Sequence, residues 1–137
     1  MSETADLFRR GLERLGAGDL AGYLDLCSDD VEVEFPFAPS GRPKRLRGRD
    51  NLRSYLEPLL ARASYEEIID VIVYETDVAG TIVAEMTIAI RLLDSGRVYS
   101  RPYVAVVRSA GGRVVSYRDY WSPLFGLSGS VDAAEAG

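Results

Sequence analysis

The 137-residue chain has no histidine, one cysteine, one tryptophan and, in Lys44, a single lysine among 16 basic residues. Without imidazole there is no Ser-His-Asp triad, no Cys-His dyad and no histidine-based metal site. Acid–base chemistry is left to Asp, Glu, Tyr, Arg, Lys or water. A lone cysteine allows no internal disulfide and no thiolate metal cluster. Cys27 falls on a largely apolar helical segment and reads as a small core residue rather than a nucleophile. No apolar run approaches the roughly 20 residues of a membrane span. The acidic opening Met-Ser-Glu-Thr-Ala-Asp reads as a helix start and not as a signal peptide. A cytoplasmic protein is the expectation. The net charge of -5 argues against a nucleic-acid binder.

What is present is ordinary for one globular domain, with 47% hydrophobic and 27% charged residues. Leu7, Phe8, Leu12 and Leu15 lie at helical spacing and predict a helix over about Thr4 to Leu15. Gly16 and Gly18 break it. Asp19 is a good N-cap for a second helix running from about Leu20 to Cys27. Val31 to Phe35 alternates strictly and reads as a half-buried strand with Val33 and Phe35 inward. Pro36 ends it, and the loop after it leads to a short strand around Arg45 to Arg47. Asp50 is positioned to cap a third helix from about Asn51 to Arg62. Its stripe is Leu52, Tyr55, Leu56, Leu59 and Leu60, and Pro58 should kink or split it.

The second half predicts four strands: Tyr65 to Glu75, Thr81 to Leu93, Val98 to Arg108 and Arg113 to Trp121. The turns fall at Asp77–Gly80, Asp94–Gly96 and Gly111–Gly112. Strands this long must twist and bend strongly to bury one face. Residues 1–127 are expected to form one domain and 128–137 a mobile tail. The order gives an α+β fold: a cone-shaped, strongly curved antiparallel sheet, closed as an α+β barrel by three N-terminal helices. Such a cone leaves a pocket for a small molecule.

The last strand carries the chemistry. Strand alternation puts Val115, Tyr117, Asp119 and Trp121 on one face. A carboxyl among aromatic rings is poorly solvated, so its pKa should rise towards neutral, where it could act as acid or base. The alternative is a structural ion pair, for which Arg101 on the neighbouring strand is the best partner. Tyr117 and Trp121 read either as a stacking wall for a flat ligand or as core.

Several runs together resemble the SnoaL-like branch of the nuclear transport factor 2-like superfamily. They are Gly18-Asp19, the Glu-Phe-Pro-Phe-Ala-Pro run at Glu34 to Pro39, Gly48-Arg49, and the Tyr-Arg-Asp-Tyr-Trp-Ser-Pro run at Tyr117 to Pro123. The resemblance covers nearly all of residues 4–125, and the Phe-Pro-Phe-Ala-Pro and Tyr-Arg-Asp-Tyr-Trp elements especially resemble phenazine-biosynthesis A/B-type proteins. It implies a homodimer through the outer face of the sheet and an acid on the last strand inside the pocket, which Asp119 matches. Cyclases and phenazine-type proteins of this branch often add a histidine, which this chain lacks.

The reading is a cofactor-independent acid–base enzyme of bacterial secondary metabolism, cyclase- or isomerase-like, acting on a small hydrophobic or aromatic molecule. Asp119 is the catalytic candidate, and Tyr117, Trp121, Phe35, Phe37, Tyr103, Tyr55 and Tyr23 are the substrate-binding candidates. No metal or organic cofactor is implied, and neither nucleic acid nor membrane is an expected partner. The alternative is a non-catalytic ligand-binding or protein-interaction module. Tyr99, Arg101 and Tyr103 share one parity, which leans towards the dimer face. The basic stretch Arg42 to Arg53 reads as a solvated loop and strand.

Overall fold

The computed structural model describes residues 2–122. These form three helices and six strands: α1 Glu3–Gly16, α2 Leu20–Asp25, β1 Cys27–Glu34, β2 Arg45–Arg47, α3 Arg49–Arg62, β3 Ala63–Glu75, β4 Thr81–Leu92, β5 Val98–Ala110 and β6 Arg113–Tyr120. Pro123 and the expected tail over 128–137 lie outside the described residues. Among those described, no helix is long and apolar enough to cross a membrane.

The helices begin for local reasons. Ser2 caps α1 by accepting from the Ala5 amide, and Asp19 caps α2 by accepting from the Gly22 amide at 2.9 Å. Helix α2 stops at Asp25, earlier than its apolar spacing suggests, and Cys27 opens β1 instead. Helix α3 starts at Arg49 with Gly48 at the cap, so Asp50 falls in its first turn and is not the cap. Pro58 does not split α3: the helix runs through it, with the ring on the exposed side.

The six strands form one curved sheet in the order β2-β1-β6-β5-β4-β3. It is mixed, not purely antiparallel. Strand β1 lies parallel to β6, with Val33 opposite Tyr117 and Glu34 opposite Arg118. The helical connection between β1 and the later strands permits that parallel neighbour. The sheet is also not closed, since β2 and β3 remain its two edges.

Bending comes from irregular pairing. The β3–β4 register shifts twice, once at Asp70, whose φ of 54° is left-handed. The β5–β6 register shifts between Arg108 and Ser109, leaving Val115 without a partner. Such a bulge bends the strand and moves side chains between faces. It puts Val114, instead of Val115, on the inner face with Tyr117, so the alternation read from the sequence fails at that one residue.

The core fills the narrow part of the concave side. Ile82, Ala84, Met86, Ile88, Ile90 and Leu92 of β4 are all buried, the face their alternation predicts. Leu7, Phe8 and Leu12 of α1 and Leu24 of α2 cover them. Helix α3 is different. Of its apolar stripe only Leu52 is buried, while Tyr55, Leu56, Leu59 and Leu60 are half-buried. They face a space that protein atoms do not fill.

Candidate active site

That space is a cavity of about 310 Å³. Its roof is α3, with Tyr55, Leu56 and Leu59. Its floor is the concave sheet, with Ile90, Tyr99, Arg101, Tyr103, Asp119 and Trp121, and Tyr65 and Phe35 close the sides. Strand pairing explains the floor. Asp119 lies opposite Ala105 in β5, and Ala105 is fully buried on the inner face. Alternation along β5 then sends Arg101 and Tyr103 to the same side. The parity of Tyr99, Arg101 and Tyr103 is therefore inward, against the dimer-face placement expected above.

The substrate-binding candidates divide. Phe35, Tyr55, Tyr103 and Trp121 line the cavity together with Asp119. Tyr23 and Tyr117 do not: they sit behind it, around a small void against α1, where Phe8 stacks on Tyr117 at 6.4 Å. Phe37 is turned to the other side of the sheet. The tight turn in which the Ala38 amide bonds the Phe35 carbonyl points Phe37 out, 53% exposed and edge-on to Tyr120. Sequence reasoning missed Tyr65, Tyr99 and Arg42 as cavity residues. Tyr65 and Tyr99 gave a signal in their strand parity, but Arg42 gave none.

Asp119 is partly exposed, because one side of its carboxyl meets the cavity; away from that side it is enclosed by protein. Loss of solvation pushes its pKa from 3.8 up to about 7, with the Arg101 charge pulling the other way. Among the described residues no ion pair engages Asp119. Arg101 is buried and lays its guanidinium over the Trp121 ring at 4.5 Å and over the Tyr103 ring at 5.6 Å from the centroids. Those contacts hold it by cation–π attraction. It acts on Asp119 through space, not as the ion-pair partner that the structural alternative requires.

The tyrosines stay neutral. Burial pushes Tyr65 up to about 12 and Tyr103 higher still, with the Asp119 charge adding to both. Their hydroxyls therefore remain hydrogen-bond donors across the physiological range. The cavity thus combines one carboxyl near its midpoint at neutral pH, neutral O–H donors, a guanidinium and apolar walls. Such a set can take a proton from carbon and steady the charge that develops on a neighbouring oxygen.

Residues 8–117 match the SnoaL-like domain family, and the chain belongs to it. It is 30% identical over 131 residues to the uncharacterized PhzA/B-like protein PA3332 of Pseudomonas aeruginosa, covering 94% of this chain and 92% of that one. Among solved structures it superposes on a proposed isomerase from Bacillus subtilis with a TM-score of 0.84 at 28% identity, covering 90% of this chain and 91% of the other. The Delta 5-3-ketosteroid isomerase from Mycobacterium sp. shares the fold with a TM-score of 0.77 at 19% identity, over 89% of this chain and 95% of that one.

Proposed function

We propose that this protein is a cofactor-independent acid–base enzyme, isomerase- or cyclase-like, in which Asp119 moves a proton at a carbon next to a carbonyl of a small, largely hydrophobic or aromatic molecule. One observation carries the reading. A carboxyl with a pKa near neutrality lines a cavity walled mostly by rings and aliphatic side chains. A base works best when its pKa lies near the operating pH. In the proposed step the Asp119 carboxylate accepts the proton. The electron pair left on carbon moves onto the carbonyl oxygen, where Tyr103 or Tyr65 donates a hydrogen bond. Asp119 then returns the proton to another carbon or, in a ring closure where the enolate carbon bonds to a second carbonyl carbon and that C=O π pair moves onto its oxygen, to the alkoxide so formed. Trp121, Phe35 and Tyr55 hold the substrate's flat face and keep water out. The isomerase names of two structural neighbours agree with this class. A place in bacterial secondary metabolism and a homodimer through the outer sheet face belong to the same proposal.

The test needs no knowledge of the natural substrate. The ring opening of 5-nitrobenzisoxazole requires only a base that removes one C–H proton while the N–O bond breaks, and it releases a coloured nitrophenolate. The wild-type protein is expected to accelerate it with an acid limb near pH 7. Asp119→Asn should lower the rate by about 100- to 10,000-fold while keeping the fold. A rate unchanged in Asp119→Asn would leave the non-catalytic binding module as the reading.

A further inference from the structure

The molecule is acidic overall, yet three arginines, Arg42, Arg62 and Arg101, line its cavity beside two aspartates, Asp94 and Asp119. Arg62 and Asp94 are exposed where they line it. Arg101 is stacked on Trp121. Arg42 is the unusual one. It is half-buried, so its guanidinium has lost part of its water. The ion pairs among the described residues engage Arg14, Arg45, Arg47, Arg49 and Arg91, but not Arg42. Among the described residues its guanidinium makes one hydrogen bond, to the Tyr55 hydroxyl at 3.5 Å, the long and weak limit for such a bond.

The loop that carries Arg42 is pinned in place. Its own amide bonds the Pro39 carbonyl, Lys44 Nζ donates to the Ala38 carbonyl at 3.1 Å, and the Phe35 amide bonds the Lys44 carbonyl at 2.8 Å. A guanidinium held there presents a planar fork suited to a carboxylate.

We propose that the cavity takes a small carboxylic acid, a ring bearing a carboxylate, and that Arg42 with Tyr55 is the seat of that carboxylate. The proposal rests on the cavity being the substrate site, and it adds the substrate's charge. Placement supports it. The parallel β1–β6 pairing ends with Glu34 opposite Arg118, and Phe35, the next residue, lines the cavity together with Asp119. Phe35 packs on Tyr55 with ring centroids 5.0 Å apart, and Tyr55 meets Arg42. Arg42, Tyr55, Phe35 and Asp119 thus line one cavity, with the Tyr55 and Phe35 rings in contact beside Arg42. An anion seated on Arg42 keeps clear of Asp119 and leaves the ring between them, its reactive carbon towards the base. A phosphate carries more charge and calls for several cations or a cradle of backbone amides. A single half-buried guanidinium beside a hydroxyl suits a singly charged carboxylate.

The experiment is calorimetric titration of the full chain with 2-naphthoate and with its neutral counterpart 2-naphthamide. Wild type is expected to bind the acid tighter than the amide by about tenfold to a hundredfold, the worth of a charge-assisted hydrogen bond. Arg42→Met should abolish that preference and leave amide binding unchanged, which also shows that the cavity is intact. Arg42→Lys, keeping the charge without the fork, should fall between. Equal binding of the two probes by wild type, no binding of either, or a preference that survives Arg42→Met overturns the proposal. The preference is to be read in Asp119→Asn as well. It should persist there, so a failure of the catalytic reading leaves this result separately visible.

Discussion

The chemistry of Asp119 has a cost in stability that can be measured. Its pKa is near 3.8 in the unfolded chain and about 7 in the folded one. Between those values the folded protein holds a proton that the unfolded chain has released, so stability falls as pH rises from about 4 through 7 and is flat above. The loss is roughly 2 kcal/mol, after discounting the shift for the partial exposure of the side chain. Asp119→Asn has no charge to bury. Thermal melts should show it more stable than wild type at pH 8 and flatter across pH 4–7; a variant less stable at pH 8 would mean the carboxylate is favourably held. A carboxyl among rings was readable from the sequence, because Asp119 and Trp121 keep their alternation up to the strand end. Arg42 was not readable. A basic loop looks solvated in any sequence, and only the fold shows that its arginine turns inward while Arg45, Arg47 and Arg49 pair with Glu34, Glu32 and Asp29.

At the scale of the element, the long strands and their inner faces follow from period-two alternation, which is why all six inward positions of β4 were legible. Alternation cannot foresee a bulge. The unpaired Val115 exchanges one inward residue for its neighbour, and neither valine announces it. The parallel β1–β6 pair was equally hidden, because it joins segments about eighty residues apart in the chain. The turn at Gly80 shows how tightly the strands are tied. Its φ is +67°, and a Cβ there would lie 2.8 Å from the Ser109 carbonyl oxygen. The same glycine's carbonyl accepts from Thr4 Oγ1 at 2.8 Å, joining α1 to the sheet. Gly96 has a similar φ of +74° with open space around it. Gly80→Ala should therefore cost about 2 kcal/mol or more in urea unfolding, against about 1 kcal/mol for Gly96→Ala. Equal losses would mean that the Ser109 contact does not constrain the turn.

For the whole molecule, the curved sheet gives two faces with different uses. The concave face is core at one end and cavity at the other. The convex face leaves Ile72, Tyr74 and Val104 exposed at 48%, 46% and 37%. The homodimer proposed through that face should appear as a species of twice the chain mass in light scattering. Val104→Arg, whose side chain points away from the cavity, should shift it to monomer without changing the 5-nitrobenzisoxazole rate; a monomeric wild type would remove the dimer from the account. The central claim is that the cavity holds a carboxyl poised near neutral pH. The direct measurement is a carbon-13 NMR titration of the side-chain carboxyls, with the Asp119 signal assigned by its loss in Asp119→Asn. A midpoint near pH 7 is the result expected. A midpoint near pH 4, the ordinary value for aspartate, would contradict the account.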